Sequence, residues 1–190
     1  MLESLLTEIR QCTVCEPHLP LGANPVIRAH PAAKILIIGQ APGTKVHQTS
    51  IPWNDASGER LRQWLGLDRE AFYCKENIAI MPMGLCYPGK GRSGDLPPRK
   101  ECAPLWHAKV LEQLPNRQLT LLIGQYAQHY YLSDKPSTLT ETVQQWQRWA
   151  PSVLPLPHPS PRNTLWLRNH PWFEQDIVPY LRHRVKQVLT

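Results

Sequence analysis

No apolar run in these 190 residues approaches the roughly 20 that a membrane-spanning helix needs. The first residues, Met1–Arg10, are acidic and amphipathic and lack the charged-then-apolar layout of a secretory signal, so a cytoplasmic location is expected. No internal repeat and no internal linker is visible, and one domain over residues 1–190 is expected. Glycine and serine are scarce around the twenty prolines, which therefore read as rigid loops rather than a disordered tract. Acidic residues are outnumbered, 15 to 21, and the net charge of +6 mildly favours a polyanionic partner. In a reducing compartment the five cysteines are not expected to form structural disulfides; buried, catalytic or metal-bound roles are the alternatives.

What is present is an alternation of buried strands and helices. Lys34–Gly39 is a continuous β-branched run ending in glycine, which suits a strand covered on both faces. Ile78–Met81, Leu119–Gly124 and Val153–Leu156 read as three more strands. Between them the spacing predicts helices over Met1–Arg10, Ser57–Leu67 (capped by Ser57), Pro104–Leu114 (with Leu105, Val110, Leu111 and Leu114 inward), Tyr126–Leu132 and Thr140–Trp149 (capped by Thr138 or Thr140). Trp172–Leu189 completes the series as a long helix with Pro179 inside it. The pattern predicts a three-layer α/β/α sandwich around a mostly parallel four-stranded sheet. Ligands of such sheets sit beyond the carboxyl ends of the strands. Gly39-Gln40-Ala41-Pro42-Gly43 follows the first strand there, and His158-Pro159-Ser160-Pro161-Arg162-Asn163 follows the last.

These two loops, in that order and separated by an α/β domain, resemble the two motifs of the uracil-DNA glycosylase superfamily. The likeness extends from about Glu8 to Trp172, is best overall to the iron–sulfur branch, and in HPSPRN is like the single-strand-selective monofunctional branch. It implies a monofunctional DNA glycosylase that hydrolyses the N-glycosidic bond of uracil or another deaminated base flipped out of DNA. Gly39, Gln40, Ala41 and Trp53 would meet the base, and His158 would donate to its O2 as charge develops on the leaving group. Ser160, Arg162 and Asn163 would contact DNA, with Arg162 filling the gap left by the base or simply holding a phosphate. Core packing is the other role open to Trp53.

The chain departs from the family at two points. Gln40 stands where the iron–sulfur branch has Glu, and Ala41 where other branches have Asp or Asn; Pro82 stands at the asparagine that reads uracil. A catalytically weak or inactive nucleic-acid-binding member of the fold is therefore the alternative. Asp55 is a possible replacement carboxylate, though a solvated helix N-terminus accounts for it and for Glu59. Cys12 and Cys15 form a C-x2-C pair, and Cys86 and Cys102 bracket a fifteen-residue Pro/Gly-rich loop. Four thiolates in two pairs suit a 4Fe–4S cluster or a structural zinc ion on chemistry alone; the resemblance favours the cluster. It would pin the loop bearing Lys90 and Arg92, two further candidate DNA contacts, in a protein expected to act as a monomer.

Overall fold

The computed structural model describes residues 1–190. Four strands, β1 (Ile35–Ile38), β2 (Ile78–Ile80), β5 (Leu119–Ile123) and β6 (Val153–Leu156), form one sheet in the order β2-β1-β5-β6, and every pairing is parallel. Two more, β3 (Lys90–Gly91) and β4 (Gly94–Asp95), form an antiparallel hairpin outside it. The helices are α1 (Leu2–Arg10), α2 (Thr44–Thr49), α3 (Ala56–Leu65), α4 (Arg69–Phe72), α5 (Ala108–Glu112), α6 (Gln125–Tyr131), α7 (Leu139–Gln144), α8 (Thr164–Asn169) and α9 (Val178–Leu189).

Strand side chains alternate between faces, so a run apolar at every position must be covered twice. Ile35 and Ile37 of β1 join one core with Leu61 and Trp64 of α3 and Leu181 and Val185 of α9. Leu36 and Ile38 join the other with Leu2 and Leu6 of α1, Val110 of α5 and Ala127 of α6. This is the expected three-layer sandwich, with a sheet wholly rather than mostly parallel.

Several local expectations shift. Asp55, not Ser57, caps α3, its carboxylate accepting from Gly58 N–H at 2.9 Å. Thr138 caps α7, which ends at Gln144 and is followed by a separate turn, Trp146–Arg148. Leu105 is 37% exposed rather than inward. A wide π-type turn over Ala103–His107 precedes α5, changes the residues per turn and brings Trp106 and His107 inward instead. A second wide turn, Phe173–Ile177, leads into α9, and Pro179 sits in its first turn, where no amide donor is needed. The β3–β4 hairpin has too short a pattern to announce itself in sequence.

Candidate active site

The chain leaves β1 for β2 on one side and reaches β5 on the other, so the strand order reverses between β1 and β5. Beyond the carboxyl ends of these strands lies a cleft of about 700 Å³, the place where open parallel sheets bind ligands. Gly39–Gly43 after β1, Gly124 and Gln125 after β5, and His158, Ser160, Arg162 and Asn163 after β6 all line it. Trp53, Asp55, Pro82 and Asp95 form further parts of its walls.

Gln128 of α6 makes one rigid edge of two strand ends. Its buried amide donates to the carbonyls of Leu122 at 3.1 Å and Leu156 at 2.9 Å. Two residues past Leu156 stands His158. Its Nδ1 accepts from Ser160 N–H at 3.1 Å, and Asn163 Nδ2 donates to its carbonyl at 2.8 Å. With Nδ1 engaged as an acceptor, the neutral ring carries its hydrogen on Nε2, which has no protein partner. Burial pushes the His158 pKa down to about 4 against the opposing pull of Asp55, so the neutral form prevails at pH 7.

Trp53 faces His158 with ring centroids 5.6 Å apart. Its backbone is left-handed, φ 59, an uncommon and strained state for a bulky residue. Arg62, 5% exposed, holds it there, one guanidinium nitrogen donating to the Trp53 carbonyl at 3.1 Å. The same nitrogen reaches the Tyr73 hydroxyl at 3.4 Å, and that hydroxyl donates to the Pro52 carbonyl at 2.7 Å. Two glycines admit the tryptophan. A Cβ on Gly39 would stand 2.8 Å from the indole, and one on Gly58 only 1.7 Å from the Trp53 carbonyl oxygen. Arg62, Tyr73 and Gln128 are supports that no sequence pattern marks; an arginine and a glutamine within helices read as ordinary helix polarity until their partners are seen.

The Met81–Gly84 segment runs beside the first loop, with Met83 N–H donating to Gly39 O at 2.9 Å and Gly84 N–H to Gln40 O at 3.0 Å. Pro82 is buried, has no N–H, and its carbonyl accepts from His107 Nε2 at 3.0 Å. The His107 Nδ1 faces the Tyr131 hydroxyl, and burial lowers its pKa to about 4. Gln40 is half-buried, and its side chain makes no hydrogen bond to the protein.

Arg162 donates through Nη1 to the carbonyl of Ser93. It thereby ties the last loop to the β3–β4 hairpin, whose Ser93, Gly94 and Asp95 form part of the cleft wall. Ser160 Oγ accepts from Arg162 N–H at 3.2 Å, closing the turn. Lys90 and Arg92 are exposed on the hairpin and do not line the cleft. Arg60, unremarked in the sequence, donates to the Ser160 carbonyl at 3.3 Å and adds positive charge to this rim.

Cys15, Cys86 and Cys102 are buried and Cys12 is half-buried. They are electrostatic neighbours. Cys12 and Cys15 raise the Cys86 pKa and Cys86 and Cys12 that of Cys102, each after burial. The Cys15 thiol is pushed up to about 11 by burial, by its 3.3 Å hydrogen bond to Glu101 and by Cys102. No three cysteine, histidine or carboxylate side chains, however, are grouped so as to hold a metal ion. Cys74, half-buried and 3.5 Å from Glu76, stands apart. No helix is long and apolar enough to cross a membrane.

Known proteins resemble this chain over most of its length. A Type-4 uracil-DNA glycosylase of Thermotoga maritima is 22% identical over 162 residues, which cover 84% of this chain and 82% of its own. The solution NMR structure of a candidate uracil DNA glycosylase from Methanosarcina acetivorans, 17% identical, aligns over 82% of this chain and 93% of its own with a TM-score of 0.45. The sequence profile of the uracil DNA glycosylase superfamily matches residues 28–182, from before β1 into α9 and through both loops, and the chain belongs to that superfamily.

Proposed function

We propose that the cleft hydrolyses the N-glycosidic bond of uracil, or another deaminated base, flipped from DNA, and that residues 1–190 act as one such domain, as a monomer in the cytoplasm. The observation that carries this is the state of His158: neutral, with Nδ1 engaged and a free Nε2–H donor in the cleft. A base inside a duplex is out of reach, so the nucleotide must be extruded into a pocket. There the Trp53 indole would stack on the base, with Gly39 and Ala41 as backbone floor. As the C1′–N1 bond stretches, negative charge gathers on the base oxygens and positive charge on the sugar. A preorganised Nε2–H at O2 stabilises the first without a proton changing hands. Gln40, free of protein partners, orients the base or the attacking water. Ser160, Asn163, Lys90, Arg92 and Arg162 carry the DNA-facing side of the reading, with Arg162 also anchoring the hairpin.

We assign the cysteines, on the same footing, to a 4Fe–4S cluster held by Cys12, Cys15, Cys86 and Cys102. The support is chemical. Each of the four thiols is named among the neighbours that raise another's pKa, and such a set can ionise together only beside compensating positive charge, which a bound metal group would supply; the preference for the cluster over zinc rests on the resemblance to the iron–sulfur branch. Such a group would supply structure rather than chemistry, fixing the loop between Cys86 and Cys102.

The test is excision from single-stranded and duplex oligonucleotides bearing uracil, hypoxanthine or xanthine, scored as abasic sites. Wild-type protein is expected to release at least one of these bases, and His158→Ala to be slower by about 100- to 1000-fold. Gln40→Ala is expected to lose less. DNA binding with every base left intact would instead establish the non-catalytic alternative, which the buried, donor-free Pro82 and the apolar Ala41 favour.

A further inference from the structure

The cleft presents two carboxylates, and the first loop, with Gln40 and Ala41 where the branches it resembles carry Glu, Asp or Asn, presents none. Asp55 is partly committed: one oxygen accepts from Gly58 N–H at 2.9 Å as the cap of α3, and its charge faces His158. Asp95 has no hydrogen bond or ion pair to either oxygen. It is carried on β4, and its Oδ2 lies 3.7 Å from where a Cβ on Gly43 would stand. Its carboxylate thus overhangs the very loop in which Gln40 and Ala41 lack one. The hairpin that carries it is fastened by Arg162, itself in the last loop, so both motif loops and Asp95 are mechanically joined.

Resting on the glycosylase reading above, we propose that Asp95 is the catalytic carboxylate that accepts the proton of the attacking water. Water oxygen forms the new bond to C1′ as the C1′–N1 bond breaks. The bonding pair leaves with the base, stabilised at O2 by His158 Nε2–H. One water proton passes to an Asp95 oxygen and from there to solvent or the departing base anion, so an abasic sugar with a C1′ hydroxyl and free base result. In the same position the negative charge faces the cationic sugar. Around Asp95 stand Arg162 from the last loop, Lys90 from the paired strand and the Tyr87 hydroxyl. Asp95 is exposed on β4, and the partial desolvation its carboxylate has against the cleft wall raises its pKa above the ordinary aspartate value while the two cations oppose the rise.

The experiment is single-turnover excision from a uracil-containing single strand across pH 4.5–9, with binding of the same strand measured separately. Asp95→Asn is expected to lower the rate by about 100-fold or more, the usual size of a general-base contribution, with strand affinity within twofold. Wild-type rate should fall as pH drops through the Asp95 pKa, and Asp95→Asn should flatten that acid limb. Asp95→Glu should recover part of the rate, and Asp55→Asn, which keeps the cap, should lose less than Asp95→Asn. A wild-type protein that excises uracil beside an Asp95→Asn protein within threefold of it overturns the assignment and leaves the glycosylase reading standing. Loss of strand binding in parallel with rate, and an unaltered acid limb, would make Asp95 a structural residue and also overturn it. A wild-type protein that excises no base overturns both.

Discussion

Gly58→Ala is the sharpest test of how Trp53 is held. The added methyl would sit 1.7 Å from the Trp53 carbonyl oxygen and 2.6 Å from its carbonyl carbon. Both are backbone atoms, so no rotamer change relieves the contact; either α3 or the Pro52–Trp53 segment must move. Moving the segment breaks the Arg62–Trp53 bond and lifts the indole off Gly39. Overpacking of this kind destabilises by about 1–3 kcal/mol, which in a chain of this size lowers Tm by roughly 2–12 °C. Losing the stacking surface removes about 1–3 kcal/mol from base binding, or about 5- to 150-fold in single-turnover excision. Thermal melting and excision from a uracil-containing strand read the two effects separately. Trp53→Ala alone should show the activity loss with little change in Tm, since the side chain is only half-buried. It should not rescue Gly58→Ala, because the clash is with backbone. A Gly58→Ala protein matching wild type in both Tm and rate would refute this account of the site.

Three other outcomes follow from the same geometry. Burial holds the folded pKa of His107 near 4, below its unfolded value of about 6.5. Between those values the unfolded chain binds the extra proton, so its contribution is fully present above pH 6.5 and lost toward pH 4. Denaturant midpoints should record a loss of about 3 kcal/mol from this residue, and His107→Gln should remove that share of the slope while the share from the similarly depressed His158 remains; an unchanged slope would refute it. Arg162→Ala should speed amide exchange over residues 89–96 and slow excision from single strands and duplexes alike, whereas a residue acting only as a wedge would spare single strands. Protein purified without oxygen should carry iron and acid-labile sulfide that Cys86→Ser loses; stoichiometric zinc without iron would replace the cluster with an ion.

The sheet was legible because a fully buried strand writes its burial at every position, as in Ile35–Ile38 and Leu119–Ile123. The two loops were legible because they follow such strands. Local registers were not. Leu105 fits an inward helical spacing, but the wide turn at Ala103–His107 changes the period and turns it out. Asp55 looked like a solvated helix start and is in fact a cap, a cleft wall and the charge facing His158. Asp95 drew no attention at all. Two-residue strands carry no periodicity, and the hairpin's place over the cleft depends on Arg162, about seventy residues away in the chain.

The hairpin wall also divides the cleft into parts of different mechanical standing. One side is the edge of a parallel sheet, locked by Gln128 and backed by two cores. The other is a short ribbon hung on a loop and clasped by a single arginine. Loosening the second would leave the hydrogen bonds and cores of the first in place, so substitutions in residues 89–96 are expected to alter the cleft wall before they alter the global Tm. The two walls thus answer to different constraints, one set by the packing of the sheet and the other by a few loop contacts.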